Sequence, residues 1–408
     1  MGRYGDLTGI SLEEALSRIN GACKVICEEM TVPLGEAYGM ITSRDHVSGI
    51  DVPSFPRSAM DGYAVRASDT EGARPDRPVP LKVIDEINAG DVSRASYSEG
   101  TAVRIMTGAK IPEGYDSVVK QEDTDQGTAE VLIHQEISAY MNYCPVGENM
   151  ASGDMAVPAG TRIGRIEAGL LAGCGFGEVH VRRPLRVGIV STGSELTRPG
   201  ESLAEGRIYN SISYMIASSV RSLGFEVSYD RLCPDEEDVI QDALLEALDA
   251  SDMVITTGGV SVGNKDLIHG VLDDIGAHKL FYRVSLSPGS PTVFAVYEDK
   301  PILCLSGNPF AALVNFDLYF HEAAASIMAA PCLGLKREKT IAGAPYEKVN
   351  KMRRIIRGRY EGGKAYPVGK KNRSSVFSDM TECNCYMDIP AGHTLGAGDE
   401  VEILRFLS

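Results

Sequence analysis

Short apolar runs alternate with longer amphipathic segments between residues 185 and 325, and this alternation restricts the fold more than any other feature. The short apolar runs are 185–190, 225–229, 252–257, 280–285, 293–296 and 301–305. The longer segments are 210–223, 235–250 and one that begins at about 309. The longer segments predict helices, and the short runs predict buried strands, with 280–285 and 293–296 as strands or a hairpin. Strands joined through helices lie parallel. We therefore predict a three-layer α/β fold with a largely parallel sheet.

Three of these predicted strands end in polar, glycine-rich loops, at 191–195, 256–266 and 306–309. In a parallel sheet the carboxyl ends of the strands share one edge, and ligands bind in the crevice beyond it. A glycine-rich loop directly after a buried strand presents uncovered backbone N–H groups, which are the usual ligands of a phosphate. The loop 256–266 therefore predicts a phosphate site, and we expect the three loops to converge there.

An acidic residue, Asp266, ends the loop 256–266. A carboxylate repels a phosphate unless a divalent cation lies between them, so this position predicts a phosphorylated ligand together with Mg²⁺. Glu195 and Asp235 also lie at or just past predicted strand ends. Each of the three has an alternative as a helix cap or a solvated loop carboxylate. Capping is at least as good an explanation for Asp235, which follows Pro234 and precedes a helix, whereas Glu195 and Asp266 lie in glycine-rich turns and fit a functional role better.

The composition argues against several classes of function. A formal net charge of −16 disfavours a nucleic-acid surface, which usually needs a clustered basic face. The nine cysteines and seven histidines follow no zinc-binding spacing, which indicates reduced thiols. Residues 1–30 do not have the pattern of a signal peptide, and no apolar run approaches the roughly 18 residues of a membrane span. We predict a cytoplasmic protein that binds neither nucleic acid nor membranes.

The remaining parts of the chain predict smaller modules. Residues 11–30 predict an amphipathic helix with Ser11 as its N-cap and Glu14 completing a capping box. From about 31 to 180, short segments separated by turn signals are typical of small β modules. After about 332, a basic stretch precedes the β-like segments 375–390 and 400–406, which predict a C-terminal β domain.

Several separate motifs, taken together and in order, carry a resemblance to a known family. They are Pro53 to Val65, Asn88 to Asp91, Arg104 to Ala109, Ser191 to Leu196, Gly258 to Gly263, Ser287 to Pro291 and Ser306 to Pro309. With these motifs, the chain resembles the MoeA and gephyrin E-domain family of molybdopterin molybdenumtransferases over nearly its whole length.

The resemblance implies a multidomain α/β plus β fold. Residues 1–180 are expected to form an elongated, discontinuous domain with a β domain inserted at about 55–140. Residues 181–328 are expected to form the molybdopterin-binding α/β domain, and residues 333–408 a β-barrel. The resemblance also implies a homodimer whose active cleft combines the α/β domain of one subunit with N-terminal residues of the other.

The reaction that the resemblance implies is the insertion of molybdenum from molybdate into adenylylated molybdopterin, with Mg²⁺-dependent release of AMP. The implied catalytic residues are Asp61, Thr107, Glu195, Asp235 and Asp266, of which Asp235 and Asp266 hold the metal. The implied substrate-binding residues are Thr192, Gly193, Ser194, Gly258, Gly259, Val260, Ser261, Gly263, Arg283, Pro288, Pro291, Arg357 and Ser374. A further implied partner is the molybdopterin adenylyltransferase.

The chain departs from the family where the oxyanion is expected. The family's Lys-Pro-Gly-Lys-Pro segment has Ser287 and Ser290 in place of the lysines, and Ala311 replaces a serine. Serine donates one hydrogen bond but carries no charge. Arg283 keeps one cation close to this loop. Two alternatives therefore stay open: a diverged paralogue that carries molybdopterin or handles tungstate without efficient molybdate insertion, and a dimeric scaffold.

Overall fold

A computed structural model describes residues 7–260, 267–369 and 375–406 of the chain. The helices of the first part are α1 (Leu12–Ala22) and α2 (Arg165–Gly173). Its strands are β1 (Glu29–Pro33), β2 (His46–Val47), β3 (Arg57–Ser58), β4 (Gly62–Val65), β5 (Val79–Ile87), β6 (Thr101–Ile105), β7 (Ser117–Lys120), β8 (Glu130–Ile133), β9 (Tyr143–Cys144), β10 (Met155–Val157) and β11 (Glu178–Arg182).

One β module of this first part lies inside another. Residues 62–133 form a five-stranded sheet in the order β7-β4-β6-β5-β8. The chain enters and leaves this sheet through the antiparallel pair β3–β9, and the pairs β1–β11 and β2–β10 join the flanking segments. Such an insertion agrees with the implied discontinuous domain, while the boundaries at about 55 and 140 stay a prediction.

Helix α1 begins where the sequence predicts. The Glu14 backbone N–H donates to Ser11 Oγ at 3.1 Å, as expected for an N-cap. The helix ends at Ala22, however, so the predicted extent to residue 30 is wrong. The backbone becomes extended at Cys23, and the Ile26 N–H then donates to the Ile327 carbonyl oxygen at 2.9 Å. A tertiary contact therefore replaces the last predicted turns.

The second part contains helices and strands in alternation. Its helices are α3 (Ile212–Ser222), α4 (Glu237–Ala250), α5 (Leu267–Asp274), α6 (Pro309–Asn315) and α7 (His321–Ile327), and a π-helical segment, Phe316–Phe320, joins the last two. Its strands are β12 (Arg186–Thr192), β13 (Leu196–Thr197), β14 (Ile208–Tyr209), β15 (Glu226–Cys233), β16 (Met253–Thr257), β17 (His278–Tyr282), β18 (Leu286–Ser287), β19 (Val293–Tyr297) and β20 (Lys300–Leu305).

In the described part of this region, six strands form one sheet in the order β15-β12-β16-β20-β19-β17. The first four are parallel to one another. Strand β19 pairs antiparallel with β20, and the edge strand β17 pairs antiparallel with β19. Ile189 and Ile255 face a core shared with α3 and α6, whereas Val190 and Val254 face a core shared with α4 and α5. Buried residues on both sheet faces are typical of a parallel sheet between helix layers, so the predicted three-layer α/β fold is confirmed.

Two local predictions in this region are wrong. Helix α4 has Glu236 as its N-cap and begins at Glu237, so the predicted helix start at Asp235 is wrong, and the capping alternative for Asp235 does not hold. The predicted strand 280–285 ends at Tyr282, because Arg283 has a positive φ of 62° that breaks the strand. The strands β17 and β19 pair as antiparallel neighbours, but the tight hairpin joins β19 to β20.

The third part is a closed β-barrel. Its strands are β21 (Lys336–Ala342), β22 (Arg353–Glu361), β23 (Lys364–Pro367), β24 (Cys385–Ile389) and β25 (Glu400–Arg405). The order is β22-β23-β21-β25-β24, and pairing of β24 with β22 closes the barrel. The basic stretch includes strand β22, while the predicted strand 375–390 starts only at Cys385 because Ser378–Glu382 forms a 3-10 turn.

The barrel is joined to the α/β region through a strand. Strand β18 pairs in parallel with β22, which places Ser287 opposite Arg354. The Tyr386 hydroxyl of β24 also donates to Asp317 Oδ2 at 2.5 Å in the π-helical segment. The loop after β18 therefore lies between the two regions. Among the described helices, none has the length and apolar character to cross a membrane.

Candidate functional site

The carboxyl ends of three parallel strands meet as the sequence predicts. Ser191 pairs with Thr257, and Thr257 pairs with Leu305, so the three following loops lie side by side. The Gly258 N–H donates to the Leu305 carbonyl oxygen at 3.0 Å and fixes two of these loops together. They surround a cavity of about 700 Å³, here called the strand-end cavity. Its walls include Thr192, Ser194, Glu195, Asp235, Gly258 and Ser306.

Two adjacent glycines give this cavity an uncovered backbone. Gly258 has a φ of 91°, and a Cβ atom there would lie 2.2 Å from the Thr192 carbonyl oxygen. Gly259 has a φ of 68°, and its Cβ would lie 2.8 Å from Ile268 Cγ1. Both positions therefore require glycine, for conformation and for space. The missing side chains let an anion approach this backbone closely, although the Gly258 N–H itself is occupied by its bond to Leu305.

Asp235 is held at the wall of the strand-end cavity by the neighbouring loop. The Ser194 N–H donates to Asp235 Oδ2 at 3.1 Å, and the Asp235 N–H donates to Ser194 Oγ at 3.1 Å. These reciprocal bonds cross between the loops after β12 and β15, and Asp235 is exposed toward the cavity. Asp235 therefore lies in the site, and it does not cap α4.

The strand-end cavity contains negative side chains but no cationic ones among its described lining residues, where Glu195 and Asp235 are the charged groups. The amino-terminal end of α3 also faces it, through Ser211 and Ile212. Helix N-termini carry a partial positive charge that favours anions. A phosphate here would therefore be held by backbone N–H groups, and it would need a cation to lie beside the carboxylates.

A second cavity of about 740 Å³ adjoins the first and lies against the barrel. It is called here the barrel-side cavity, and its walls include Ser287, Ser290, Ser306, Lys348, Arg354 and Ser375. Pro291 and Ser306 line both cavities. The described lining of the second cavity contains two cations, Lys348 and Arg354, and no carboxylate. Hydroxyl groups and cations are donors, so this cavity is suited to an anion.

The loop at 287–291 forms one wall of the barrel-side cavity. Pro288 and Pro291 line this cavity together with Ala311. Arg283 is not in the described lining of either cavity. Its backbone N–H donates to the Thr292 carbonyl oxygen at 3.2 Å, and its guanidinium lies 5.1 Å from the ring centroid of Tyr282.

Arg357 lies behind the barrel-side cavity. Its side chain is fully buried, and its guanidinium stacks 3.7 Å from the ring centroid of Phe310, which does line the cavity. Nη2 of Arg357 donates to the Val376 carbonyl oxygen. Burial lowers the pKa of this guanidinium from its ordinary value. In this arrangement Arg357 supports the cavity wall through Phe310.

Asp61 and Thr107 form a separate pair on the inserted β module. The Thr107 backbone N–H and hydroxyl both donate to Asp61 Oδ1 at 2.7 Å. These two bonds lower the pKa of the Asp61 carboxyl. Both residues are exposed, and neither is in the described lining of the two cavities of the same chain.

Comparison with known proteins gives a consistent result along the whole chain. Family models match at residues 10–175 (MoeA N-terminal region, domain I and II), 188–325 (probable molybdopterin binding domain) and 339–406 (MoeA C-terminal region, domain IV). A molybdopterin molybdenumtransferase of Staphylococcus epidermidis is 34% identical over 403 residues, which cover 97% of this chain and 96% of that protein. The chain belongs to the MoeA family. The Staphylococcus aureus protein of the same name is also 34% identical, over 97% of this chain and 95% of its own length.

A solved MoeA structure confirms the multidomain fold. The crystal structure of the molybdopterin biosynthesis MoeA protein from Pyrococcus horikoshii OT3 superposes with a TM-score of 0.85 at 29% identity, covering 98% of this chain and all of that one. The predicted family and fold class are therefore confirmed for this MoeA protein.

Four predicted site residues of this MoeA protein, Ser261, Gly263, Asp266 and Ser374, lie outside the described residues. Within the described ranges, no group of three or more His, Cys, Asp or Glu side chains is placed to hold a metal ion. The assignment of Asp235 and Asp266 as Mg²⁺ ligands therefore stays a prediction.

Sequence reasoning missed Lys348 and Ser375 and gave no role to Arg354. All three lie far along the chain from residues 287–291 and reach that loop only because the barrel packs there. Arg354 had one weak signal, its place in a basic stretch. Lys348 lies in a loop before β22, where no local pattern distinguishes it from an ordinary surface lysine.

Proposed function

We propose that this protein inserts molybdenum from molybdate into adenylylated molybdopterin and releases AMP in a Mg²⁺-dependent reaction. One observation carries the proposal: two anion-binding cavities of different chemistry adjoin at Pro291 and Ser306. A reaction that joins a pyrophosphate-bearing pterin to an oxyanion needs such a pair of sites. The names of the Staphylococcus relatives agree with this assignment.

The strand-end cavity is proposed to bind the pterin pyrophosphate. The backbone at Gly259 and the start of α3 supply N–H groups for its oxygens, and Gly258 leaves room for the close approach. The exposed Asp235 carboxylate beside this backbone fits a Mg²⁺ ligand, because Mg²⁺ prefers carboxylate oxygens that it shares with substrate phosphates. Asp266 is proposed as a second ligand. Bound Mg²⁺ would neutralise charge and polarise the phosphoryl group. Glu195, which lines the same cavity, is proposed to orient water.

The barrel-side cavity is proposed to bind molybdate. Lys348 and Arg354 compensate for the family lysines that are replaced by Ser287 and Ser290, but they approach from the barrel side. Two cations and several hydroxyls match a dianion with four acceptor oxygens. This composition supports metal insertion over the alternative of a carrier without an oxyanion site.

A homodimer is proposed to complete the cleft. Asp61 and Thr107 are exposed, and the chain segments around the inserted β module also expose the apolar side chains Met60, Tyr140 and Met141. The rim of the strand-end cavity also exposes apolar groups, at Ile208 and Tyr209. Exposed apolar patches of this kind mark interaction surfaces. We propose that a second copy covers them and brings its Asp61–Thr107 pair to this cavity.

Two further parts of the proposal concern the cellular setting. We propose a cytoplasmic location, together with a contact to the molybdopterin adenylyltransferase. The second copy of the chain and the pterin substrate are the other proposed partners.

The direct test is AMP release from adenylylated molybdopterin with molybdate and Mg²⁺. We expect Asp235→Asn to reduce the rate by about 100-fold or more, as for removal of a catalytic charge, and the exposed neighbour Glu236→Gln to act as an unaffected control. Wild-type protein that binds the pterin but releases no AMP with molybdate would support the carrier alternative and contradict the proposal.

Mixed dimers test the shared cleft. An equal mixture of Asp61→Asn and Asp235→Asn chains should recover about a quarter of the wild-type sites, because half the dimers are mixed and each has one intact site. If each cleft is built from one chain, the mixture recovers nothing.

A further inference from the structure

The loop at 287–291 is shaped by one buried side chain that no part of the predicted site includes. Gly289 has a φ of 89°, and a Cβ there would lie 2.4 Å from Asn315 Nδ2. The carboxamide of Asn315 therefore packs directly against the backbone of this loop. Asn315 is the last residue of α6 and is fully buried.

Hydrogen bonds define how Asn315 holds the loop. Its Nδ2 donates to the Gly289 carbonyl oxygen at 2.7 Å and to the Thr292 hydroxyl. The carboxamide cannot be reversed, because the Gly289 carbonyl accepts and never donates. The Thr292 hydroxyl in turn lies 3.0 Å from the same carbonyl. One amide group thus ties both ends of the segment 289–292 to α6.

The orientation of Asn315 has an energetic disadvantage that needs a reason. Its Oδ1 atom is buried, and no hydrogen-bond partner for it occurs among the described residues. Buried polar atoms without partners are uncommon and destabilise the folded state. An apolar residue of similar size would avoid this disadvantage. The amide is therefore explained by what its Nδ2 holds in place.

Asn315 also lies on the helix, and holds the loop, that lead to the two residues shared by both cavities. Helix α6 begins at Pro309, three residues after Ser306, and Ser306 lines both cavities. The segment that Asn315 holds contains Pro291, the other residue common to both. The helix changes to a π-helical segment directly after Asn315, and such distortions often occur near functional sites.

We propose that Asn315 is a positioning residue for the oxyanion: it holds the 287–291 loop so that the Ser287 and Ser290 side chains line the barrel-side cavity. This inference rests on the proposed function, in which that cavity binds molybdate. Asn315 acts through the loop and touches no substrate. Its loss should therefore weaken the oxyanion site and leave the pterin site, which the loops after β12 and β16 build, nearly unchanged.

The test compares Asn315→Leu with the control Val314→Ala, which truncates a buried neighbour on the same helix. Molybdate binding is measured by equilibrium dialysis, and the KM for molybdate is measured by AMP release. We expect Asn315→Leu to raise both constants at least about tenfold, since a misplacement of about 1 Å can cost up to about 100-fold. Affinity for adenylylated molybdopterin should change less than about twofold. Val314→Ala should leave both constants near the wild-type values.

A double-mutant cycle tests the contact itself. Gly289→Ala should weaken molybdate binding in the wild-type background, because its Cβ collides with the Asn315 amide. In an Asn315→Ala background the collision is absent, so the same change should cost clearly less. Additive effects of the two substitutions would contradict the proposed contact.

The outcomes separate this inference from the proposed function. If wild-type protein binds molybdate and Asn315→Leu binds it equally well, the inference is wrong and the function stands. If Val314→Ala weakens molybdate binding as much as Asn315→Leu, the effect is general destabilisation and the inference is also wrong. If wild-type protein releases AMP but binds no molybdate, the oxyanion assignment fails, and the role of Asn315 fails with it.

Discussion

Substitution of Gly258 by alanine should distort the strand-end cavity more than any ordinary glycine replacement in this domain. The added Cβ would lie 2.2 Å from the carbonyl oxygen of Thr192 and 2.9 Å from its Oγ1 atom. The closer contact cannot be relieved by rotating a side chain, because the carbonyl oxygen belongs to the backbone of β12. The loop after β16 must therefore move away from the loop after β12.

The magnitude has two parts. A non-glycine residue at a φ of 91° costs about 1–2 kcal/mol. Overpacking against the β12 backbone adds about 1–3 kcal/mol, for a total of about 2–5 kcal/mol. Gly276 is a matched control in the same domain, because its φ is 78° and a Cβ there meets nothing within 4 Å. Gly276→Ala should therefore lose only the first part.

Urea denaturation and pterin binding together check this reasoning. Gly258→Ala should be less stable than Gly276→Ala by about 1–3 kcal/mol. It should also bind adenylylated molybdopterin at least about tenfold more weakly, since one lost hydrogen bond to a charged group is worth about 1.5–3 kcal/mol. Equal stability of the two variants, or wild-type pterin affinity in Gly258→Ala, would refute the close-approach argument.

Two further results are expected. Lys348→Ala should raise the KM for molybdate by about 3–10-fold through loss of one cation, while Lys351→Ala in the same loop should leave it unchanged. Equal effects of the two substitutions would mean that the overall surface charge, and not a specific contact of Lys348, determines the KM. Burial lowers the pKa of His269 from 6.5 to about 4, so the folded state disfavours its charged form. The stability that this group contributes is therefore present above pH 6.5 and is lost as the pH falls toward 4. Urea unfolding of His269→Gln should show up to about 2 kcal/mol less loss between pH 7.5 and 5 than wild type, and parallel curves would contradict this.

The α/β region could be predicted from the sequence because its signals are local. Helix α3 ends where Gly224 takes a positive φ of 84°, as the glycine predicts. The buried apolar run followed directly by Gly258 and Gly259 predicts both strand β16 and a phosphate site after it. Convergence of the loops after parallel strands follows from the topology alone. In the structure Thr192, Ser194 and Asp235 do line the same cavity, the strand-end cavity.

The barrel side could not be predicted in the same way. Strand β22 carries four buried residues in succession, from Ile355 to Gly358, and one of them is Arg357, so no alternating pattern identifies it. Its contact with the 287–291 loop depends on pairing between residues more than 60 positions apart, such as Ser287 and Arg354. The cations of the barrel-side cavity were missed because contacts between distant parts of the chain place them there, and a single sequence gives no local signal for such contacts.

The two cavities also explain how a chain with a net charge of −16 can bring two anions together. If both cavities had cationic walls, either anion could occupy either site. Here the strand-end cavity presents carboxylates and backbone N–H groups, so an anion is repelled there unless a cation lies beside the carboxylates. The barrel-side cavity presents cations and hydroxyls and accepts the oxyanion directly. In the proposed reaction, this separation of charge at Pro291 and Ser306 would assign each substrate to its own side. The geometry of the segment that Asn315 contacts would then set the distance between the reacting groups.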